Sequence, residues 1–237
     1  IEISEQISRA AKMNMIIHDD GHTNVITSDG LIPEKVIMEK TNNTGFQYGT
    51  FDFIITNPPF GSTIRQSEQA YLKTYQLGKK EEDWLAITTP PQNTRDGQST
   101  EVLFIEQDYK FLKEGGYLAI VLPDGILTNS CMQYDRTQIE DGFRIVAVFS
   151  LPQTAFMANG AGVKSSVLLL KKWTKNESES LLNAKKKIES RLLKDNNYLS
   201  QRQAWEREIK AKQKEKANEI KDQQRISITA AKQTDEY

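Results

Sequence analysis

The most chemically informative residues of the sequence form the tetrapeptide Asn57-Pro58-Pro59-Phe60, which directly follows the apolar run 51–56. Two consecutive prolines fix the backbone and remove two N–H donors, so this turn is stiff and presents unpaired carbonyl groups. The side-chain oxygen of Asn57 and the carbonyl oxygen of Pro58 could each accept one N–H of an exocyclic amine. Two acceptors outside the plane of an aromatic base favour a tetrahedral nitrogen with a localised lone pair. The turn therefore predicts activation of an amine for attack on an electrophile.

Phe60 places an aromatic ring at the end of the same turn. Such a ring could stack on the face of a base held outside its helix, which chemistry on a duplex base requires. The plainer alternative is that the two prolines only end a strand and that Phe60 belongs to the core. The second proline pair, Pro90-Pro91, lacks both the amide and the aromatic ring, so we interpret it as loop.

The elements that must position this turn alternate between apolar runs and helical patterns, the order of parallel strands joined by helices. Ligands of such sheets bind beyond the carboxyl ends of the strands, where the turn would lie. We predict helices over 5–18 and 100–113, with Asp124 as the N-cap of a further short helix. The predicted strands are 24–27, a buried strand at 51–56, a central strand at 117–122, and a final pair at 144–151 and 164–172. Residues 61–99 fit no period and predict a long loop with one helix at 66–76.

Length and composition limit the class of protein. A chain of 237 residues suits one large α/β domain, or a domain with an appendage. All glycines and prolines lie in residues 1–175, whereas residues 176–237 carry many charges, so we predict a globular domain over 1–175 and a charged helical arm over 176–237. No apolar run approaches the roughly 18 residues of a membrane-spanning helix, which excludes a transmembrane protein.

Charge and cysteine content narrow the class further. The 31 basic and 32 acidic side chains nearly cancel, which argues against a protein that coats nucleic acid through bulk charge. The single Cys131 suits a reducing cytoplasm, where we expect the protein to be located.

Two weaker groups of candidate residues remain. The segment 18–22 contains two histidines and two aspartates, but it spans a predicted helix end without a third cluster, so we expect no metal site there. Three lysines border the final pair of strands and could either contact phosphates or end the strands in solvent. They are Lys164, Lys171 and Lys172.

Four blocks of the sequence resemble the adenine-N6 DNA methyltransferases, most closely the modification subunit of type I restriction-modification systems. The blocks are AAKMNMIIHDDGHTNVITSDGL at 10–31, FDFIITNPPFG at 51–61, FIEQDYKFLKEGGYLAIVLPDGIL at 104–127, and IVAVFSLPQTAF with GVKSSVLLLKK at 145–172. The resemblance implies a Rossmann-like, S-adenosylmethionine-dependent methyltransferase sheet, mostly parallel with a C-terminal antiparallel hairpin. It also implies double-stranded DNA as the substrate, and a specificity subunit and a restriction subunit as partners.

The same resemblance implies roles for individual residues. Asn57, Pro58, Pro59 and Phe60 match the catalytic turn, and Asn57 also borders the cofactor. By position, Glu2 with its neighbour Ile3 matches the segment whose acid holds the ribose hydroxyls of S-adenosylmethionine. The remaining cofactor residues are Asp29, which matches the acceptor for the adenine amine, and Gly30 and Leu31 beside the ring.

One departure from the family pattern concerns its Gly-rich first motif, which should lie upstream of Glu2. In this fold the strand before that motif lies between the strands led by Ile1 and Phe51. We therefore expect a chain that is truncated at its N-terminus and inactive by itself. Within enzymes, the turn could instead serve an rRNA guanine or a protein glutamine. Outside enzymes, the chain could be a non-catalytic assembly module.

Overall fold

The computed structural model describes residues 1–21, 23–65, 70–79, 96–157 and 162–195, together with most of 200–223. Up to residue 195 the described part contains six α-helices, six β-strands and two short 3-10 helices. The helices are α1 Glu5–Ile17, α2 Glu34–Thr41, α3 Thr100–Phe111, α4 Asp124–Thr128, α5 Gln133–Gly142 and α6 Lys175–Asp195. The strands are β1 Phe51–Thr56, β2 Thr63–Arg65, β3 Gly97–Ser99, β4 Leu112–Pro123, β5 Phe143–Ser150 and β6 Ser165–Lys172. The 3-10 helices are Ala70–Thr74 and Ser130–Met132.

Four strands form the main sheet in the order β1-β4-β6-β5. β1 runs parallel to β4, whereas β4 and β5 are both antiparallel to β6, so the predicted C-terminal antiparallel hairpin is confirmed and the sheet is mixed. Pro123 pairs with Ser165 and Ser150 pairs with Ser166. The carboxyl ends of β1, β4 and β5 therefore lie at one edge of the sheet together with the amino end of β6.

The core fills one face of this sheet. Alternate side chains of β4 and β6 point to this face, because successive residues of a strand face opposite sides. They pack against apolar side chains of α3 and α5, which helical spacing places on one side of each helix. The buried residues of this cluster include Leu118, Ile120, Leu122, Leu168 and Leu170 from the strands and Val102, Ile105 and Ile139 from the helices. The α/β class predicted from the sequence is confirmed.

The other face of the sheet is open in the described part of the chain. On β1, Phe53 is 69% exposed and Ile55 is 86% exposed, and Phe149 of β5 is 55% exposed. The prediction that 51–56 is a buried strand is therefore wrong. The apolar run does form a strand, but only Phe51 and Ile54 of it are among the residues that pack against the core, and Phe53 stacks on Tyr117 across the open face.

Several predicted boundaries shift. The predicted strand 24–27 is reduced to one parallel bridge between Thr27 and Glu2. β4 begins at Leu112 and includes Gly115, whose positive φ of 76° accompanies an irregular register with β1. Helix α4 begins at Asp124 with Pro123 in the N-cap position, so Asp124 does not cap it.

The segment after β1 contains structure that the sequence did not predict. β2 and β3 form a two-stranded antiparallel sheet, in which Ile64 pairs with Gln98. Within the predicted helix 66–76, residues 70–74 form a 3-10 helix, and 66–69 lie outside the described residues, as do 80–95 with Pro90-Pro91.

The chain divides into two compact units, Ile1–Glu179 and Ser180–Tyr237. The described residues of the second unit are helical, and α6 ends at Asp195, where the sequence DNN interrupts the apolar pattern. Among the described residues, no helix combines the length and the apolar character needed to cross a membrane.

Candidate active site at the ends of the strands

The predicted catalytic turn emerges from the carboxyl end of β1. Asn57 and Pro59 are exposed, Pro58 is buried and Phe60 is half-buried. Gly61 follows with a φ of +75°, a left-handed conformation in which glycine escapes the steric cost of a Cβ atom. The amide of Asn57 is thus accessible at the edge where the strand ends converge.

The turn is tied to the start of α3. The hydroxyl of Thr100 donates to the carbonyl oxygen of Pro59 at 2.9 Å. The backbone N–H of Thr100 donates to the carbonyl oxygen of Ser62 at 3.0 Å. Thr100 is buried, so these bonds are shielded from water. With the stiffness of two prolines, they hold the backbone next to Asn57 in one position.

Phe156 lies beside Phe60 and was not among the predicted site residues. The two ring centroids are 5.8 Å apart and the planes meet at 80°, an edge-to-face contact. Phe156 lies in the loop after β5, almost 100 residues later in the sequence. The block IVAVFSLPQTAF contained it, but only the fold shows that its ring reaches the turn after β1.

Glu2 forms an isolated parallel bridge with Thr27. The backbone N–H of Glu2 donates to the carbonyl oxygen of Ile26 at 3.0 Å. The backbone N–H of Ser28 donates to the carbonyl oxygen of Glu2, also at 3.0 Å. One carboxylate oxygen of Glu2 accepts from the backbone N–H of Ser4 at 2.7 Å, which orients the side chain. Ile3, the neighbouring candidate, is 73% exposed.

The predicted adenine-binding residues form a tight turn next to Glu2. An oxygen of Asp29 accepts from the backbone N–H of Leu31 at 2.9 Å, and Leu31 is buried. A Cβ atom added at Gly30 would lie 3.1 Å from the ring of Phe104 and 3.9 Å from Ile1. The structure therefore brings the Glu2 and Asp29 segments together, and Gly30 leaves room where a larger residue would displace Phe104.

A buried glutamine fastens this turn to α3. The side-chain N–H groups of Gln107 donate to the carbonyl oxygens of Gly30 at 3.0 Å and Ile32 at 3.1 Å. The hydroxyl of Tyr75 lies 2.6 Å from the carbonyl oxygen of Leu31 and 2.8 Å from Oε1 of Gln107. One hydroxyl proton can serve only one of these acceptors at a time. The sequence offered only a polar residue inside a helix as a signal for Gln107.

The hydroxyl of Tyr48 completes the network around Gln107. It donates to Oε1 of Gln107 at 3.3 Å. Burial raises the pKa of Tyr48, so the phenol remains protonated and able to donate.

These residues fit the adenosine half of S-adenosylmethionine. Carboxylates such as Glu2 accept hydrogen bonds from ribose hydroxyls, and acceptors such as Asp29 suit an adenine amine. The close approach that Gly30 allows is already made by the ring of Phe104, so Gly30 shapes this turn through that contact. Glu2 and Thr27 form a parallel bridge, and Ile3 and Asp29 lie just beyond its carboxyl end. Ligands of α/β sheets bind beyond the carboxyl ends of the strands.

The remaining candidates divide among several structural roles. The ammonium group of Lys172 donates to the carbonyl oxygens of Tyr109 at 2.7 Å and Leu112 at 2.8 Å, and burial lowers its pKa. Lys172 thus ties β6 to the end of α3. Lys164 contacts Asp124, and Lys171 lies at the far end of β6.

Two further features, the segment 18–22 and a cavity beside α3, contribute no described residue to the site. His22 lies outside the described residues, and within the described chain no three His, Cys, Asp or Glu side chains group as metal ligands. A cavity of about 390 Å³ between α3 and α5 is lined by residues such as Leu77, Ile105 and Tyr109, and by none of the predicted site residues.

Comparison with known proteins gives one match across nearly the whole chain. A sequence model of the family described as N-6 DNA methylase matches residues 1–235. No curated protein sequence matches.

The solved structures that match do so more weakly. The M protein of the type I restriction enzyme EcoKI is 23% identical over 75% of this chain and 31% of its own, with a TM-score of 0.48. A modification subunit of a putative type I restriction enzyme from Vibrio vulnificus is 17% identical over 80% and 40%, with a TM-score of 0.48. A putative class I S-adenosylmethionine-dependent methyltransferase from Listeria monocytogenes is 23% identical over 56% and 34%, with a TM-score of 0.41. The chain spans between about three and four tenths of the length of these proteins.

Proposed function

Because the chain belongs to the N-6 DNA methylase family, we propose that it carries the catalytic turn of a type I modification subunit, which methylates the N6 amine of adenine at specific DNA sites. The methyl donor is S-adenosylmethionine. The observation that carries the proposal is the accessible amide of Asn57, held beside Pro58 and Phe60 at the edge where the strands end.

The role of Asn57 and Pro58 is to change the geometry of the target nitrogen. The lone pair of an amine on an aromatic base is delocalised into the ring, so the nitrogen is a weak nucleophile. The side-chain oxygen of Asn57 and the carbonyl oxygen of Pro58 accept its two N–H bonds from outside the base plane. This arrangement localises the lone pair and aims it, and the preorganised acceptors stabilise the positive charge that develops on nitrogen. The extra proton leaves afterwards to solvent, so no separate strong base is required.

Phe60 holds the base outside the duplex. Its half-buried ring offers a face on which the flipped adenine stacks, while the neighbouring turn contacts the amine. The edge-to-face contact with Phe156 holds the ring of Phe60 from one side, so that a face of the ring is presented to the base. Pro59 contributes by anchoring this turn through its carbonyl bond to Thr100.

The cofactor supplies an electrophilic methyl group when it is bound. Glu2, beside Ile3, accepts hydrogen bonds from the ribose hydroxyls, and Asp29 accepts from the adenine amine. Gly30 and Leu31 form the surface beside the adenine ring, and Gln107 holds this surface in place through the carbonyl groups of the turn.

The proposed partners are double-stranded DNA, a specificity subunit and a restriction subunit. The formal net charge of −1 suits a chain that leaves most of its grip on DNA to such partners. We place the assembly in the cytoplasm, where the exposed thiol of Cys131 stays reduced.

A transfer assay with labelled methyl donor tests the proposal. The full-length gene product, assembled with its specificity subunit, should label DNA at adenine N6, and it should leave rRNA and protein unlabelled. Labelling of rRNA guanine or of protein glutamine would instead assign the turn to those amines. Absence of cofactor binding by the full-length product would favour a non-catalytic assembly module.

A further inference from the structure

Phe60 and Phe156 are in contact although they follow strands at opposite edges of the sheet. Phe60 follows β1 and Phe156 follows β5, and these are the two outermost strands in the order β1-β4-β6-β5. Neighbouring strands are about 4.8 Å apart, so the two strand ends are separated by roughly 14 Å. The loop after β5 must therefore fold back across the ends of β6 and β4 before Phe156 reaches Phe60.

A polar cluster lies where this loop turns. The ammonium group of Lys164 donates to the hydroxyl oxygen of Ser150, the last residue of β5, at 2.5 Å and to the carbonyl oxygen of Leu151, the first residue after it. The same group lies 3.9 Å from a carboxylate oxygen of Asp124 at the end of β4. The hydroxyl of Ser166 on β6 donates to the other oxygen of Asp124 at 2.7 Å.

Backbone hydrogen bonds join the same three strand ends. The backbone N–H of Leu151 donates to the carbonyl oxygen of Ser165 at 3.1 Å, and the backbone N–H of Asp124 donates to the carbonyl oxygen of Lys164 at 2.9 Å. Lys164 and Asp124 are both about one-third exposed, with side-chain exposures of 34% and 29%. The cluster therefore links β4, β5 and β6 at the edge that carries the proposed site.

We propose that Lys164 and Asp124 are positioning residues that hold the loop after β5 so that Phe156 contacts Phe60. Asp124 is fixed to β6 by Ser166, and Lys164 transmits that position to the backbone of Leu151. The carboxylate of Asp124, the first residue of α4, is thus used for this cluster. The importance of this contact for base capture rests on the proposed function, whereas the packing itself does not.

The test places 4-fluorophenylalanine at position 156 of the full-length gene product and records its 19F resonance without DNA or cofactor. Lys164→Met should displace and broaden this resonance, because the loop loses its anchor. Lys164→Arg should restore part of the parent spectrum. Lys171→Met changes the same residue type at the far end of β6 and should leave the resonance unchanged.

A milder variant keeps the test decisive if Lys164→Met fails to fold. Ser166→Ala removes one donor to Asp124 and leaves Lys164 in place, so it should displace the resonance in the same direction by a smaller amount. An unmoved resonance in the folded variants would overturn the proposal. Equal displacement in Lys171→Met would also overturn it, because the effect would not belong to the cluster.

A second measurement separates this inference from the proposed function. With 2-aminopurine at the target position of DNA, Lys164→Met should lower the fluorescence gain on binding several-fold, with cofactor affinity unchanged. A displaced 19F resonance in an enzyme that methylates no DNA would support the positioning role and reject the proposed function. Weaker DNA binding with an unmoved resonance would make Lys164 a phosphate contact and overturn the positioning role.

Discussion

At the scale of single residues, the accessible amide of Asn57 should affect the rate of methyl transfer far more than the binding of cofactor. Asn57→Ala removes one of the two acceptors for the amine, and a preorganised polar group of this kind contributes about 3 kcal/mol, or about a hundredfold in kcat. Single-turnover kinetics of the full-length gene product, with cofactor affinity from calorimetry, measures both. Asn14→Ala, at an exposed position of α1, should leave both unchanged. Equal losses in rate and affinity would place Asn57 in the cofactor pocket.

The ring of Phe60 should affect capture of the base. Phe60→Ala should reduce the fluorescence gain of 2-aminopurine at the target position, since stacking of a base on an aromatic side chain contributes about 1–3 kcal/mol. Phe60→Trp keeps a π-face and should retain most of the gain. If the Ala variant flips the base as well as the parent does, Phe60 serves only to pack against Phe156.

The sequence placed the turn 57–60 correctly because its signal is local: an apolar run followed at once by two prolines. Its neighbours could not be found that way. Phe156 reaches Phe60 only through the crossing of the loop after β5, and Gln107 reaches Gly30 from a helix 77 residues away. Contacts of this kind depend on tertiary packing, which single-sequence patterns do not encode. The roles assigned to Glu2 and Asp29 stay predictions, although the fold brings their segments together.

At the scale of elements, α3 acts as the support for the proposed cofactor turn. Gln107→Leu would leave the buried carbonyl group of Ile32 and the partly buried one of Gly30 without their donor, and a buried group without a partner costs about 1–3 kcal/mol. We expect the free energy of unfolding to fall by about 2–4 kcal/mol in urea titrations, and the affinity for cofactor to fall with it. Gln201→Leu, at an exposed position of the helical arm, is the matched control. Loss of stability with unchanged cofactor affinity would show that the turn does not need this support.

Asp108 of α3, next to Gln107, should make the free energy of unfolding of the protein depend on pH. Asp108 is 7% exposed, one of its carboxylate oxygens lacks a hydrogen-bond partner among the described residues, and burial raises its pKa to about 8. The unfolded chain loses this proton near pH 4, whereas the folded chain keeps it until about pH 8. Folding thus retains a proton, and stability should fall by up to about 1.4 kcal/mol per pH unit as pH rises through this range.

Asp108→Asn should remove that dependence. The neutral amide has nearly the same shape, so the variant should be more stable than the parent at pH 7.5 and similar to it near pH 4. Urea unfolding at both pH values provides the measurement, and Asp52→Asn, at an exposed carboxylate paired with Lys113, is the control. A parent whose stability rises between pH 4.5 and 7.5 relative to Asp108→Asn would show that Asp108 is ionised when buried.

The elements themselves were predictable in proportion to the length of their patterns. The helix around 100–113 and the strands around 117–122 and 164–172 carry long, regular apolar patterns, and their positions hold within a few residues. The three-residue strands β2 and β3 carry no period that could reveal them. The run 51–56 looked buried because four of its six residues are large and apolar, yet pattern alone cannot tell whether one face or both faces of a strand are covered.

At the scale of the whole molecule, that open face is the dominant feature of the sheet. Side chains of β1, β4, β6 and β5 that point away from the core share it, as their register shows for Phe53 with Tyr117 and Ile55 with Ala119. β1 also forms hydrogen bonds to β4 alone among the described strands, so its outer edge is open to another chain. An apolar face next to an unpaired strand edge favours self-association.

We therefore expect residues 1–237 to self-associate through this face, and Ile55→Lys to oppose it. Covering one exposed Ile or Phe contributes about 1.5–3 kcal/mol, so Phe53, Ile55 and Phe149 together can drive association at micromolar concentrations. A lysine at position 55, where the side chain is 86% exposed, should fit the monomer without strain while placing like charges against each other in any assembly. Sedimentation velocity should show a shift toward monomer for Ile55→Lys, and no shift for Ile188→Lys at an exposed position of α6. A monomeric parent, or an equal response to both substitutions, would contradict association through this face.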